Sequence, residues 1–240
     1  MAMTLVVTRP QKGFTLIEMA VAVFIIALLL GSILVPLATQ VEQKQISDSQ
    51  RMLDDIKESL MGYALTNGYI PCPDTNNDGA EDVVVGTGLC GTIVGGIASG
   101  NIPWTTLGIL SNTDPWGNRF RYVINERYAR RSPGTPITLS GGGTDVRICA
   151  TAACATTLST TAAAAILSLG KNGYGATNGA GGTNTAPSSA DELENVDTDK
   201  DVVSRIPTAV GAAAGEFDDI VTWLSSYVLF NRMVSAGKLP

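Results

Sequence analysis

Gln11-Lys12-Gly13-Phe14-Thr15-Leu16-Ile17-Glu18 leads without a break into residues 19–41, MAVAVFIIALLLGSILVPLATQV, a run of 23 residues that carries no charge. As an α-helix this run spans about 35 Å, more than the roughly 30 Å hydrocarbon core of a bilayer, so a membrane segment is expected. An ordinary secretory signal has a shorter apolar core followed by a small-residue cleavage site, and no such site with a polar break follows Leu30. Arg9 and Lys12 precede the run. By the positive-inside rule they stay cytoplasmic and the bulk of the chain lies outside. Glu18 is out of place physically, because a carboxylate at the edge of an apolar helix is costly unless it is neutralised, paired or held at the headgroup level.

Past Glu42 the composition turns polar, yet Ile46, Ser49, Leu53, Ile56, Leu60 and Tyr63 recur at three- and four-residue spacing, the mark of one helix face. The helix is therefore expected to continue. Asn67-Gly68 supplies a left-handed stop and Pro71 forbids continuation, so a single helix is predicted from Phe14 to about Thr66.

The remaining composition excludes much chemistry. Histidine is absent, which removes imidazole acid-base catalysis, His-oriented triads and the commonest zinc and haem ligands. Formal charge is −6, and residues 1–13 hold only Arg9 and Lys12 among charged residues, so their removal would leave −8. An acidic body repels nucleic acid and anionic lipid on average. Cys72, Cys90, Cys149 and Cys154 all follow the apolar run, as expected of a chain exported to an oxidising compartment. Three disulfide connectivities are open; sequence neighbours suggest Cys72 with Cys90 and Cys149 with Cys154, and free thiols are the alternative.

The string from Gln11 to Glu18 strongly resembles the class III signal of type IV pilins and type II secretion pseudopilins. The resemblance implies that a prepilin peptidase cuts after Gly13 on the cytoplasmic side and that Phe14 becomes the N-methylated first residue. It also implies that Glu18 meets the free amino terminus of a neighbouring subunit, a contact that opposite charges in a low dielectric favour. Pro36 stands one position later than the helix proline usual in that class. A second resemblance lies in Asp114-Pro115-Trp116-Gly117-Asn118, followed by Arg119-Phe120-Arg121-Tyr122, which looks like the motif that opens the sheet of major pseudopilins. Its physics is a proline-initiated turn that delivers an aromatic strand onto the helix.

The expected fold is thus α+β: a leader over 1–13, a long helix over 14–66 that is transmembrane in its first half, and an extracytoplasmic head over 67–240 with a small antiparallel sheet. Residues 68–103 read as a long loop clipped by Cys72 and Cys90. Strands are predicted at Phe120–Ile124, Ile137–Leu139, Val146–Ala150 and Ala165–Leu169. Residues 150–190, rich in Ala, Thr, Gly and Ser, read as a surface loop. A helical segment is expected around Ile220–Ala236.

In major pseudopilins a glycine-rich loop after the sheet binds calcium near a terminal Asp-Ile-x-x-Trp-like segment. This chain has Ser168-Leu169-Gly170-Lys171-Asn172-Gly173 and Asp219-Ile220-Val221-Thr222-Trp223. The resemblance implies Ca2+ held by the Leu169 carbonyl and the side chains of Asn172, Asp218 and Asp219, with Asn172 standing where aspartate is expected. The acidic alternation Asn195, Asp197, Asp199 and Asp201 would also be relieved by a cation. A solvated acidic loop explains the same residues without a metal. A rival loop, Asp74-x-Asn76-x-Asp78-Gly79, matches half an EF-hand but has Val85 where the bidentate glutamate belongs, and turn chemistry explains it better.

Arg119, Arg121, Arg127, Arg130 and Arg131, interleaved with Phe120, Tyr122 and Tyr128, form the basic cluster that a DNA-uptake pilin would use, although a solvated strand and turn would look the same. Nucleic acid is not expected as a partner. Ser168-x-x-Lys171 has the spacing of a serine-lysine dyad but lacks the accompanying motifs, and catalysis is not expected. The expected partners are copies of the chain itself, prepilin peptidase, inner-membrane assembly machinery and, before assembly, membrane lipid. The precursor is expected in the bacterial inner membrane with its head periplasmic, and then in a pilus or pseudopilus. A minor pilin, or a pilin-anchored adhesin or DNA-uptake module, is the alternative.

Overall fold

The computed structural model of the protein describes residues 13–129, 137 and 145–239, side chains at 32–37 excepted. The chain divides into two units, Met1–Lys44 and Gln45–Pro240. Helix α1, Leu16–Asn67, contributes to both.

In the first unit Phe14 and the helix that follows it present their apolar side chains to the surroundings: Phe14 is 83% and Leu16 89% exposed, and Ile17, Phe24, Leu28 and Leu30 are all exposed as well. So much contiguous bare apolar surface marks a segment whose burial is left to lipid or to other chains. Among the described residues no helix is long and apolar enough to cross a membrane. The span expected at 19–41 runs through positions 32–37, whose side chains lie outside that description.

In the second unit the predicted stripe is the buried one. Ser49, Leu53, Ile56 and Leu60 are buried, joined by Met61 and Ala64, while Ile46 and Tyr63 are half-buried. The helix stops where Asn67-Gly68 predicts: Gly68 has φ of 84° and its N–H donates to the Ala64 carbonyl at 2.8 Å. A left-handed glycine closes a helix without the Cβ clash that other residues would meet there.

Among the described residues seven strands build the sheet: β1 (Ile93–Val94), β2 (Ile97–Asn101), β3 (Arg121–Asn125), β4 (Val146–Cys149), β5 (Thr157–Ser168), β6 (Asp201–Val203) and β7 (Ile220–Ser225). β1, β2, β3 and β5 pair antiparallel in that order. β4 and β7 also run antiparallel to β5, and β6 lies parallel to β4. Ala162 of β5 pairs with Val146 on one flank and Ser225 on the other, so β4 takes over the flank that β3 leaves, opposite β7. Short helices α2 (Trp104–Leu107), α3 (Ala190–Glu194) and α4 (Ser226–Ser235) complete the head.

Strand alternation sorts the core into two layers. Tyr122, Ile124, Ala164, Ile166 and Leu224 pack with Leu53, Ile56 and Leu60 of α1 and with Leu229 and Met233 of α4. Ile97, Val123, Ala165, Leu167, Val146, Ile148 and Val202 form the opposite layer, with Trp223 against it. Disulfides join Cys72 to Cys90 and Cys149 to Cys154.

Four expectations need correction. Residues 150–190 are not a surface loop throughout: Thr157–Ser168 is the central strand, and Ala162–Leu167 are fully buried. The strand predicted at Ala165–Leu169 is only its end. Alanine has low strand propensity, but between a helix and a second core layer its small side chain lets both approach, and packing overrides propensity. Residues 68–103 contain β1 and β2 beyond the disulfide-clipped loop. Ile220–Ser225 is strand, not helix, and helix begins only at Ser226. The sheet is mostly antiparallel, the β4–β6 pair being parallel. Of the strand predicted at Ile137–Leu139, all but Ile137 lies outside the described residues.

Candidate functional site

Gly13 and Phe14 lie immediately before α1 and are exposed. Thr15 and Glu18 then close the helix start on each other. The Thr15 N–H and hydroxyl both donate to Glu18 Oε2 at 2.9 Å, and the Glu18 N–H returns a bond to Thr15 Oγ1 at 3.3 Å. This is a reciprocal capping box, which satisfies orphan donors at a helix amino terminus. Its signature in the sequence is Thr-x-x-Glu ahead of an apolar run, Thr15 to Glu18.

The Asp114-Pro115-Trp116-Gly117-Asn118 turn is organised by one buried carboxylate. Asp114 Oδ1 accepts the N–H groups of Trp116 at 3.0 Å and Asn118 at 2.9 Å, while Oδ2 accepts the Ser168 hydroxyl at 2.6 Å. Burial pushes the Asp114 pKa up, and those hydrogen bonds oppose the shift. The turn thereby ties β3 to the end of β5 and sends Phe120 and Tyr122 into the core against α1. Ser168 is committed to that contact, which leaves the Ser168-x-x-Lys171 spacing without a free nucleophile.

The acidic donors fall into two groups, not one. Glu192 of α3 joins Asp218 and Asp219, their carboxylate oxygens within 4.8 Å of one another; Glu194, Asp199 and Asp201 make the second group. In the first group Asp218 Oδ2 accepts the Asn172 N–H at 2.9 Å, and Glu192 Oε1 accepts the Asn172 side-chain amide at 3.0 Å. Asn172 thus clips two acids together, and its own side-chain oxygen accepts the Tyr174 N–H. The Leu169-Gly170 backbone abuts Asp218: Gly170 has φ of 62°, and a Cβ there would collide with Asp218 Oδ1. Glu192 is 2% exposed, yet its Oε2 and Asp218 Oδ1 are buried with no hydrogen-bond partner.

Burial raises the pKa of Glu192, Asp218 and Asp219, and repulsion acts in the same direction, from Asp218 and Glu216 on Glu192, from Glu216 on Asp218, and from Glu192 and Asp218 on Asp219. Asn195 makes no open donor. Its amide nitrogen donates to the Val203 carbonyl and to Asp219 Oδ2, and its oxygen accepts the Val203 N–H at 2.7 Å, so it positions Asp219. Asp197 and Asp199 stand apart from Asp218 and Asp219. Asp199 is with Glu194, whose carboxyl is pushed up to about 7 by burial and by Asp197, Asp199 and Asp201. In that group Arg147 Nε bonds Asp201 Oδ1 at 2.6 Å. Glu192 and Glu194 lie on α3, outside the alternation that begins at Asn195, so no local spacing in the sequence joins them to the other acids.

The other candidates resolve into structural contacts. Asp74 Oδ1 accepts the N–H groups of Asn76 and Asn77, and Oδ2 that of Gly79, so the EF-hand-like loop is held by its own backbone. Arg119 is buried with its guanidinium 4.3 Å from the Trp104 ring centroid. Arg121 donates to the Asp197 carbonyl, and Arg127 pairs with Asp145 at 2.7 Å. The three described arginines of the predicted basic cluster therefore point to separate internal partners; Arg130 and Arg131 lie outside the described residues.

A long amino-terminal helix whose carboxyl-terminal turns pack on a mostly antiparallel sheet, with two disulfides, is a pilin-like α+β fold. Residues 8–34 match the family described as prokaryotic N-terminal methylation motif, the class III signal typical of type IV pilins and pseudopilins. That signal is typical of prepilin-type proteins of the type IV pilus and type II secretion class, which are typically structural and non-enzymatic. No curated protein and no solved structure matches it.

Proposed function

We propose that this chain is a structural subunit of a type IV pilus or type II secretion-like pseudopilus, cut by prepilin peptidase after Gly13, methylated on Phe14 and polymerised through the apolar residues of α1. The observation that carries the proposal is the bare apolar surface from Phe14 to Leu30, interrupted only by Thr15 and Glu18 among polar residues. Such a surface is stable in lipid, and in a filament helix packing replaces the lipid contacts. The precursor waits in the inner membrane with its head in the periplasm, where the oxidising environment sustains the two disulfides. Assembly machinery of the inner membrane then extracts it into the fibre.

A cation belongs to this reading. The Glu192, Asp218 and Asp219 triad, with two buried unpartnered oxygens, suits an oxygen-seeking ion such as Ca2+, with the Leu169 carbonyl from the adjoining backbone. Bound there, the ion would tie the loop after β5 to α3 and to the start of β7.

Intact mass and amino-terminal sequencing of the protein from native membranes and from sheared fibres test the reading. N-methyl Phe14 as the first residue, found in fibres, is the expected result. An uncut chain confined to the membrane would overturn it.

A further inference from the structure

Two apolar features of the head stand open, and they differ in shape. The first is a knob. Residues 206–215, IPTAVGAAAG, carry no charge, and Ile206 and Val210 are 83% and 79% exposed. The loop is nonetheless held in place. Arg205 pairs with Asp191 at 2.6 Å and donates to Thr208 Oγ1 at 2.8 Å and to the Ala214 carbonyl at 3.1 Å, and the Thr208 hydroxyl donates to the Gly215 carbonyl at 2.6 Å. Thr208 and Phe217 exchange backbone hydrogen bonds at 2.8 and 3.0 Å across its base. An apolar tip already fixed in shape loses little freedom when a partner covers it.

The second is a groove of about 240 Å³ between α1 and residues 109–111, lined by Met52, Ile56, Ile109, Leu110 and Phe120, with Asp55 beside them. It is smaller than the roughly 300–1,000 Å³ of pockets that hold small molecules, a size that suits aliphatic side chains. Ile56 and Phe120 belong to the core layer on α1, whereas the knob follows β6, whose Val202 belongs to the opposite layer. Two different surfaces set on opposite layers are what a head-to-tail contact needs, and such contacts propagate into a helical fibre where a two-fold contact would close. A second uncharged tip, residues 84–89 with Val85 98% exposed, springs from Val83 and Cys90 in the groove's own layer and does not meet that need.

Charge selects the same occupant. A chain cut after Gly13 carries −8, so two copies approach most easily where charge is absent. Asp55 repels an acidic segment from the groove and tolerates an uncharged one. We propose that Ile206 and Val210 of one copy seat in the Met52, Ile109 and Leu110 groove of the next, joining successive heads along the fibre. This rests on the filament reading above and names the surfaces through which its heads meet.

The test uses the full chain coexpressed with its peptidase and assembly partners. Photoreactive p-benzoylphenylalanine in place of Val210, in fibres grown from mixed heavy- and light-isotope subunits, should cross-link to Met52, Ile109 or Leu110 of the other isotope. Links to any other surface, residues 84–89 included, or links confined to one isotope would overturn the proposal. Val210→Asp sets a second carboxylate beside Asp55 and should lower the yield of sheared fibres about tenfold, while Val210→Lys should lower it less. In an Asp55→Lys background that ranking should invert. The same ranking in both backgrounds would overturn the proposal, since a loop that merely misfolds does not sense the sign of residue 55. Val210 and Asp55 are exposed, so urea midpoints equal to wild type are expected of every variant. Absence of cleavage and fibres in wild type would instead sink the filament reading itself, which keeps the two failures distinct.

Discussion

Chelation and acidity should act on the head in opposite senses through the Glu192, Asp218 and Asp219 triad. Three carboxylate oxygens within 4.8 Å of one another repel by about 3.5 kcal/mol per ionised pair at an effective dielectric of 20. Glu216 adds to that repulsion, and Lys171 and Arg205 offset part of it. Folded-state pKa values above the unfolded ones mean that the folded head binds the extra protons. Without metal the triad's contribution to stability is therefore fully present below about pH 4 and is lost as pH rises through the raised values. With Ca2+ the sign reverses, because the ion binds only deprotonated oxygens. At a hundredfold excess over Kd the ion contributes about 2.7 kcal/mol, or roughly 5–10 °C in Tm for a head of this size. Thermal unfolding of the detergent-solubilised chain, with Ca2+ or with chelator, should show little difference near pH 4.5 and the full difference near pH 7.5. Glu192→Gln should raise the metal-free Tm at pH 7.5 and shrink the Ca2+ effect. Melting curves that ignore Ca2+ and chelator at every pH would remove the ion from the account, and a metal-free Tm unmoved by Glu192→Gln would refute the repulsion.

Three further perturbations probe the scaffold. Gly170→Ala forces a Cβ into Asp218 at a left-handed position and should cost at least about 2 kcal/mol, visible as a lower denaturant midpoint with an unchanged slope. Asp114→Ala leaves two backbone N–H groups and the Ser168 hydroxyl without their acceptor and should cost about 3 kcal/mol or more, with Asp114→Asn between it and wild type in thermal unfolding. Removing the Cys72–Cys90 disulfide by paired serine substitutions should cost about 3 kcal/mol and removing Cys149–Cys154 about 2 kcal/mol, because loop-closure entropy grows with loop length; urea titration of the two variants checks the order.

Legibility in the sequence followed how local each signal was. The buried face of α1 could be read from Ser49, Leu53, Ile56 and Leu60 because helix periodicity needs no partner to be seen. The stop at Gly68 and the turn at Asp114 were visible for the same reason: a left-handed glycine and a proline-led turn are set within a few residues. Ala162–Leu167 gave no such sign, since small residues suit a loop, a helix or the middle of a sheet equally well. The acidic cluster was only half legible. Asp218 lies against Gly170, but Glu192 reaches Asp218 and Asp219 from a separate helix, and Asn195 holds Asp219 and does not stand open itself.

Legible in the residues alone were an uncharged run of membrane length with Arg9 and Lys12 before it, the signal string from Gln11 to Glu18 and the amphipathic continuation of the helix. These depend on composition and short-range spacing, which folding does not alter. The strand order, the burial of β5 between two core layers, the grouping of Glu192 with Asp218 and Asp219, and the separation of Arg119, Arg121 and Arg127 were decided by tertiary structure. Each joins residues far apart along the chain, and which distant groups meet depends on how α1 and the sheet bury their apolar faces together.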